Sequence, residues 1–280
     1  MQSETEAKAP LNVWVLSFSN VGNFGDRLGV QLMHQALPPH AIVKHIHHRP
    51  MEIPAGEPDV LIVGIGNSIF GDLLTDEFDR LLARAPKVVG VFGTQYREAI
   101  PPQRWAHFMS RLDLWFARTS DDAETFGGLA RETHVLGDWL MDAFPMTTPT
   151  INEAMTVGGA LGVNQPLDRY IAYLQSYRRV HSRLMHPLLC AMCSAETVSY
   201  SEQPIDFRQG DIVRPILTGK FARVLRDIVG KAPPPETPFT VDRGAVISYK
   251  ARVRANIEAM RARLATLLDE QPQREPAAAP

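Results

Sequence analysis

The chain has 280 residues, 45% of them hydrophobic and 21% charged, with 29 Lys and Arg against 31 Asp and Glu for a formal net charge of −2. These proportions suit a globular chain of one large or two small domains and exclude the strongly basic character of a general nucleic-acid binder. The opening MQSETEAKAP is polar, without the apolar stretch of a signal peptide, and no run of about 18 apolar residues occurs that would cross a membrane.

In chain order, LNVWVLSF (Leu11–Phe18) is an apolar run of β formers that ends in a Gly/Asn turn, SNVGNFGD. Leu28, Leu32, Met33 and Ala36 then recur at helical spacing, so strand, turn and helix open a βα unit. AIVKHIHHR and DVLIVGIGNSI are predicted as the second and third strands, LTDEFDRLLARA as a helix, KVVGVFG as a strand and RWAHFMSRL as a helix. DLWFAR is a short strand, SDDAETFGGL a helix capped by its serine, and THVLGDW closes the series. Strands this apolar, alternating with helices, predict a parallel sheet covered on both faces, with its ligands at the carboxyl ends of the strands. The turns GNFGD, GIGNS, GTQYR, ARTSDD and LGDW all follow strands and fall on that rim.

Beyond Pro145 the texture changes. TTPTINEAMTVGGALGVNQP reads as loop, LDRYIAYLQSY as a helix, RRVHS as a short strand or turn, HPLLCAMCSA as a buried helix with proline in its first turn, and ETVSYSEQ as a strand. GKFARVLRDIVG is helical, KAPPPETP is a linker, and AVISYKARVRANIEAMRARLATLLDE is a long amphipathic helix able to pack back across both halves. The expected boundaries are a disordered start over 1–10, a first α/β domain over 11–147, a smaller second one over 148–232, linker and long helix over 233–268, and a disordered tail over 269–280.

Several residues carry candidate chemistry. In VGNFGD, Gly22 and Gly25 permit a turn with positive φ, and Asp26 is either a helix N-cap or a rim carboxylate that accepts from a sugar hydroxyl. Gly64 and Gly66 in VGIGNS either let the backbone approach a ligand or serve a plain strand-end turn. Arg118 follows an apolar strand, so it points into the rim or pairs on the surface with Asp121 or Asp122. His45 and His47 share one side of a strand without an evident third metal ligand, and Cys190 and Cys193, spaced C-x-x-C in an apolar helix, read as two buried thiols of a reducing compartment.

The strongest signal is YRRVHSRLMHPLLCAMC, Tyr177–Cys193, where arginines and histidines precede a run of apolar residues. Buried guanidinium or imidazole is costly unless a partner meets it, and here that partner is read as an anionic ligand. Arg183 and His186 form one pair, three apart on a helical face, while Arg179 and His181 form a competing pair. Arginine supplies a fork for carboxylate or phosphate and histidine a proton that titrates near neutrality.

Taken together, these segments resemble the polysaccharide pyruvyl transferase family. Its members show N-x-G-D early, a strand ending in arginine before a serine and a helix, an aspartate-marked strand end, and an arginine-leucine-histidine motif entering an apolar helix. The chain carries, in that order, NFGD (Asn23–Asp26), FARTSDDAETFG with Arg118 and Ser120, VLGDW with Asp138, and SRLMHPLLCAMCSAETVSY with Arg183 and His186, over roughly Val13 to Tyr200. Two departures stand out. Met185 separates Leu184 from His186, whereas RVH (Arg179–His181) keeps the family spacing, and only 44 residues lie between Asp138 and Arg183, so the second half is reduced.

The resemblance implies a GT-B-like α/β fold, two Rossmann-like parallel-sheet halves facing a cleft. It implies a cytoplasmic enzyme, working at the inner face of the membrane on a lipid-linked or polymeric saccharide, with phosphoenolpyruvate as donor and a pyruvate ketal as product. No metal or further cofactor and no nucleic acid is implied. His186, Asp26 and Arg183 would be catalytic. Arg118, Arg183, Asn23, Gly25, Gly64, Gly66, Asn67, Arg179 and His181 would bind substrate. The alternatives are a GT-B-like glycosyltransferase that uses a nucleotide sugar and a catalytically inactive scaffold of a polysaccharide assembly complex.

Overall fold

The structure is a computed structural model that describes residues 10–18, 24–65, 68–69, 71–159, 165–209 and 212–269. Its first half alternates strands and helices: β1 (Leu11–Ser17), α1 (Phe24–Ala36), β2 (Ala41–His47), β3 (Val60–Val63), β4 (Ser68–Ile69), α2 (Asp76–Arg84), β5 (Val88–Thr94), α3 (Pro102–Ser110), β6 (Leu114–Ala117), α4 (Ser120–Phe126) and β7 (Thr133–Val135). The strands form one parallel sheet in the order β2-β1-β3-β5-β6-β7, with the short β4 on β5. The chain leaves β1 for β2 on one side and returns to β3 on the other, so the order reverses at β1/β3, where open α/β sheets place their ligands.

The apolar runs are continuous because both faces of the sheet are covered. Val13, Val15, Ile62, Val89, Val91, Leu114 and Phe116 pack on the face under α1, while Trp14, Leu16, Leu61, Val63, Phe92 and Trp115 pack on the face under α2 and α3. Each such side chain, once fully buried, contributes about 1.5–3 kcal/mol. The helix after β6 is capped by Thr119, whose hydroxyl accepts from the Asp122 N–H at 3.0 Å. The serine expected as the cap, Ser120, is the first helical residue, and its N–H donates to Asp227 at 2.9 Å.

The second half comprises β8 (Ile151–Val157), α5 (Leu167–Gln175), β9 (Tyr177–Ser182), α6 (Met185–Met192), β10 (Thr197–Tyr200), β11 (Ile205–Gln209), β12 (Ile212–Ile216), α7 (Lys220–Val229), β13 (Phe239–Thr240) and α8 (Arg243–Asp269). A smaller sheet runs β13-β10-β9-β8, parallel except for β13. The loop expected across 146–166 therefore contains a strand, β8. It lies at the sheet edge, and of its seven residues Val157 alone is buried, so its hydrogen bonds to β9 define it rather than an apolar pattern. The β11–β12 hairpin is a second element without a sequence forecast, and Ile212 and Val213 on it are exposed.

All eight residues of α6 are buried, and this helix packs against both α1 and the strands β9 and β10. The 27-residue α8 returns along the first sheet, burying Val246, Tyr249, Val253, Ile257, Met260, Leu264 and Leu267 on one stripe. Arg263 grips Glu132 with two nitrogens, at 2.8 and 2.6 Å, Asn256 donates to the Leu136 carbonyl at 3.2 Å, and the Lys250 ammonium donates to the carbonyls of Met141 and Phe144. Among the described residues no helix is long and apolar enough to cross a membrane.

Candidate functional site

Four elements meet where α6 crosses the carboxyl end of the first sheet. Gly25 and Asp26 lie in the first turn of α1, Arg118 directly follows β6, Asp138 lies just beyond β7, and His186 is the second residue of α6. All four polar residues are buried: Asp26 is 0%, Asp138 1%, Arg118 6% and His186 8% exposed.

The His186 imidazole rests on Gly25, where a Cβ would fall inside the ring against Nδ1. Gly25 is helical and has no positive φ, so the glycine is needed for this close approach and not for the left-handed turn expected of it. On its other side the ring meets Asp138, with 3.4 Å between Nε2 and Oδ2, an ion-pair distance that is long for a hydrogen bond. Asp138 is itself fixed from a distant part of the chain, since its backbone N–H donates to the Tyr249 hydroxyl of α8 at 2.6 Å. Burial, followed by the Asp138 charge, pushes that phenol well above its ordinary range. Gly137, at φ 85, makes the turn that presents Asp138.

Arg118 donates its backbone N–H to the Phe92 carbonyl at 3.2 Å, and its guanidinium lies over Gly93, where a Cβ would come within 2.7 Å of Nε. It acts on three carboxylates with different outcomes. Burial works to raise Asp138, yet His186 and then Arg118 hold it below the usual range. Burial likewise opposes ionisation of Asp122, but Arg118 and Arg223 hold this carboxyl low as well. For Asp26 burial wins: its pKa rises to about 8, because the Phe18 N–H, 3.4 Å from Oδ1, and Arg118 offset only part of the desolvation. Asp26 is thus neither an N-cap nor an exposed rim carboxylate. At neutral pH it is chiefly a neutral acid, able to donate a hydrogen bond. The surface pairing considered for Arg118 gives way to burial, and Asp122 accepts instead from Thr94, Thr119 and Arg97.

Arg118, Asp138 and His186 line a cavity of about 10 Å³ with walls that include Phe92, Phe116 and Trp139. That is about the room needed for one water molecule.

The other sequence candidates lie elsewhere. Gly64 ends β3 at φ 109, and a Cβ there would be 2.6 Å from that of Phe92, so close strand packing accounts for it. Arg183 is exposed beside Gly158 and donates its backbone N–H to the Val157 carbonyl at 2.9 Å. Arg179, exposed on β9, donates to the Asn152 carbonyl at 3.0 Å. Both His181 nitrogens are taken by the hydroxyls of Ser199 and Ser201, at 2.8 Å each, so His186 is the histidine beside Asp138. Asn23, Gly66 and Asn67 lie outside the described residues. His34 and His45 approach to 3.0 Å between Nε2 atoms, and among the described residues no group of three or more His, Cys, Asp or Glu is placed to hold a metal. Cys190 and Cys193 are free buried thiols, and burial raises both, Cys193 to about 11.

Sequence reasoning missed Tyr249 and Arg223. The first sits on what reads as an ordinary amphipathic helix, and the second lies in the first turn of a helix whose packing partner no local pattern announces.

No family model matches the chain, and no curated protein matches it. Among solved structures, it is similar to an uncharacterised protein, KP1_0663, from Klebsiella pneumoniae subsp. pneumoniae NTUH-K2044, with 14% identity and a TM-score of 0.46 over 69% of this chain and 83% of that one. It is also similar to an alpha-glucosyltransferase in complex with UDP and a 13-mer DNA containing an HMU base, with 10% identity and a TM-score of 0.43 over 93% of this chain and 95% of that one. At these values the likenesses assign neither a family nor an activity, and the chain is described by its own architecture, a mixed α/β protein built on a six-stranded parallel sheet with β4 attached to β5.

Proposed function

We propose that this protein is a pyruvyl transferase that moves the enolpyruvyl group of phosphoenolpyruvate onto two hydroxyls of a saccharide, forming a pyruvate ketal. The observation that carries the reading is convergence: Asp26, Arg118, Asp138 and His186, from four separate sequence motifs, meet in one buried cluster. The fold belonging to this proposal is GT-B-like with a reduced second half. Its setting is the cytoplasm, at the inner face of the membrane that carries a lipid-linked or polymeric acceptor.

In this reading the Arg118 fork holds the carboxylate of the donor. His186 delivers a proton to the methylene carbon, and the central carbon becomes electrophilic and bonds the first sugar hydroxyl. The proton of that hydroxyl returns to His186. The second hydroxyl then bonds the same carbon as the bond to phosphate breaks, and its proton leaves with the phosphate. Asp138 orients the imidazole and offsets the positive charge that builds on it. Asp26, protonated, donates a hydrogen bond to an acceptor oxygen rather than acting as a base. General acid–base assistance of this kind is worth about 10²–10⁴-fold in rate.

The test is calorimetric titration of the full chain with phosphoenolpyruvate and, separately, with UDP and GDP, followed by mass spectrometry of envelope glycan made with and without the protein. Binding of phosphoenolpyruvate and a pyruvate ketal on the glycan are expected. Binding of a nucleoside diphosphate with no response to phosphoenolpyruvate would replace this reading with a nucleotide-sugar transferase.

A further inference from the structure

A second hollow opens on the rim of the first sheet, at the carboxyl end of β2. Its volume is about 330 Å³, inside the range of about 300–1,000 Å³ that small-molecule sites occupy. His48, the residue after β2, stands in its wall, held by its backbone N–H, which donates to the Ser17 carbonyl at 3.0 Å. The residue is 4% exposed, and neither ring nitrogen has a hydrogen-bond partner among the described residues. Burial, followed by the Arg49 charge, pulls the imidazole down to about 3. At neutral pH the ring is therefore uncharged, with one nitrogen to donate and the other to accept. A buried ring left unsatisfied in this way costs stability, and the hollow beside it is where a partner fits.

The rest of the wall narrows the class of that partner. Pro50, Met51 and Leu73 give the hollow an apolar side. The Thr75 hydroxyl oxygen accepts from the Phe78 N–H at 3.2 Å and keeps its proton to donate. Glu77 stands at the exposed rim, its carboxylate without a hydrogen bond or ion pair among the described residues, and Arg49 brings the opposite charge. An anion would face Glu77 and the two other acids in the first turn of α2, Asp76 and Asp79. A flat base finds no ring to stack on: Phe18 already stacks on His48 at 4.4 Å, and no Phe, Tyr or Trp among the described residues lines the hollow. A sugar ring suits it on every side. Each hydroxyl both donates and accepts, and the C–H faces pack on apolar side chains.

We infer that this hollow seats one neutral sugar ring, whose hydroxyls supply the hydrogen bonds that the His48 imidazole lacks while Thr75 and Glu77 meet others and Pro50, Met51 and Leu73 lie against its C–H face. Phe18 joins the hollow to the buried cluster, since its ring stacks on His48 and its N–H lies 3.4 Å from Asp26 Oδ1. None of Asp26, Arg118, Asp138 and His186 lines the hollow, so the ring seated there is held and not modified. In making that ring part of the acceptor, the assignment rests on the pyruvyl-transfer reading, and the acceptor is then an oligosaccharide or polymer rather than a single sugar.

The experiment is saturation-transfer NMR of the full chain with the methyl glycosides of glucose, galactose, mannose and N-acetylglucosamine and with adenosine, beside calorimetric titration with inorganic phosphate and with phosphoenolpyruvate. The wild type, His48→Phe, His48→Gln and Glu77→Ala are compared, with urea melts of each. At least one glycoside should bind the wild type. His48→Phe, which removes both nitrogens and keeps a ring against Phe18, should weaken that glycoside by about tenfold, the effect of one or two hydrogen bonds, and His48→Gln, which both donates and accepts, should keep part of it. The urea stability of His48→Phe should equal or exceed that of the wild type, because an unsatisfied polar group is gone; sugar lost without stability lost separates binding from a structural role. Glu77→Ala, at the exposed rim, should weaken the glycoside in the same direction and decides the matter if His48→Phe does not fold. No glycoside bound, glycoside binding equal in all variants, or adenosine or phosphate bound in a way that depends on His48 overturns this inference, and pyruvyl transfer still stands if phosphoenolpyruvate binds. Glycoside binding that depends on His48, in a chain that does not bind phosphoenolpyruvate, keeps the sugar seat and removes pyruvyl transfer.

Discussion

Asp26 is the residue whose replacement tests the electrostatics of the site most directly. Its carboxyl is fully buried, its Oδ2 has no hydrogen-bond partner among the described residues, and its pKa rises from 3.8 to about 8. The folded chain therefore keeps a proton that the unfolded chain releases above about pH 4. The stability that goes with this proton is fully present below about pH 4 and is lost as pH rises through about 8. Between pH 5 and pH 8 the difference spans roughly three pH units at about 1.36 kcal/mol each, on the order of 4 kcal/mol. Asp26→Asn has no proton to lose, so its stability should gain on the wild type by that amount across the window, about 10 °C in Tm. Urea or thermal melts of both proteins at half-unit pH steps measure the gap. His48, buried and pulled down to about 3, and Asp138, held low, destabilise the chain toward acid, but both groups are present in either protein and cancel in the difference. Parallel pH profiles, with a constant gap, would refute the claim that burial keeps Asp26 protonated.

Three further outcomes are expected. Gly25→Ala places a methyl inside the His186 ring; it should cost about 1–3 kcal/mol as overpacking and shift the His186 resonances in a histidine-labelled NMR spectrum, whereas an unperturbed imidazole would show that the contact is loose. His186→Ala should lower acceptor-dependent phosphate release from phosphoenolpyruvate by about 10²–10⁴-fold with little change in donor affinity, while His181→Ala, which breaks two serine contacts and a 3.9 Å approach to Glu236, should leave turnover within about tenfold of wild type. Tyr249→Phe strands the buried Asp138 N–H and should cost about 1–3 kcal/mol in urea denaturation; a smaller loss would mean that water replaces the hydroxyl.

Local signals were sufficient where one element decides its own burial. LNVWVLSF and KVVGVFG are apolar on both faces because α1 covers one side of the sheet and α2 and α3 the other, and that double burial is what their composition reports. LDRYIAYLQ became α5 and MHPLLCAM became α6 for the same reason, an apolar stripe in one case and an apolar helix in the other. INEAMTV concealed a strand because an edge position asks for backbone hydrogen bonds and little apolar surface. The four motif residues of the buried cluster could be singled out one at a time as polar groups at strand ends or helix starts, but nothing local joins them.

What the residues alone determined is therefore the α/β alternation, the parallel sheet, the rim at its carboxyl ends and the residue types able to act there, because these follow from periodicity and turn chemistry within a few neighbouring positions. Packing decided the rest. It set a histidine of α6 on Gly25, tied Asp138 to Tyr249 more than a hundred residues away, and kept a proton on Asp26, since desolvation and through-space charge depend on what the folded chain brings close and not on what precedes or follows in sequence.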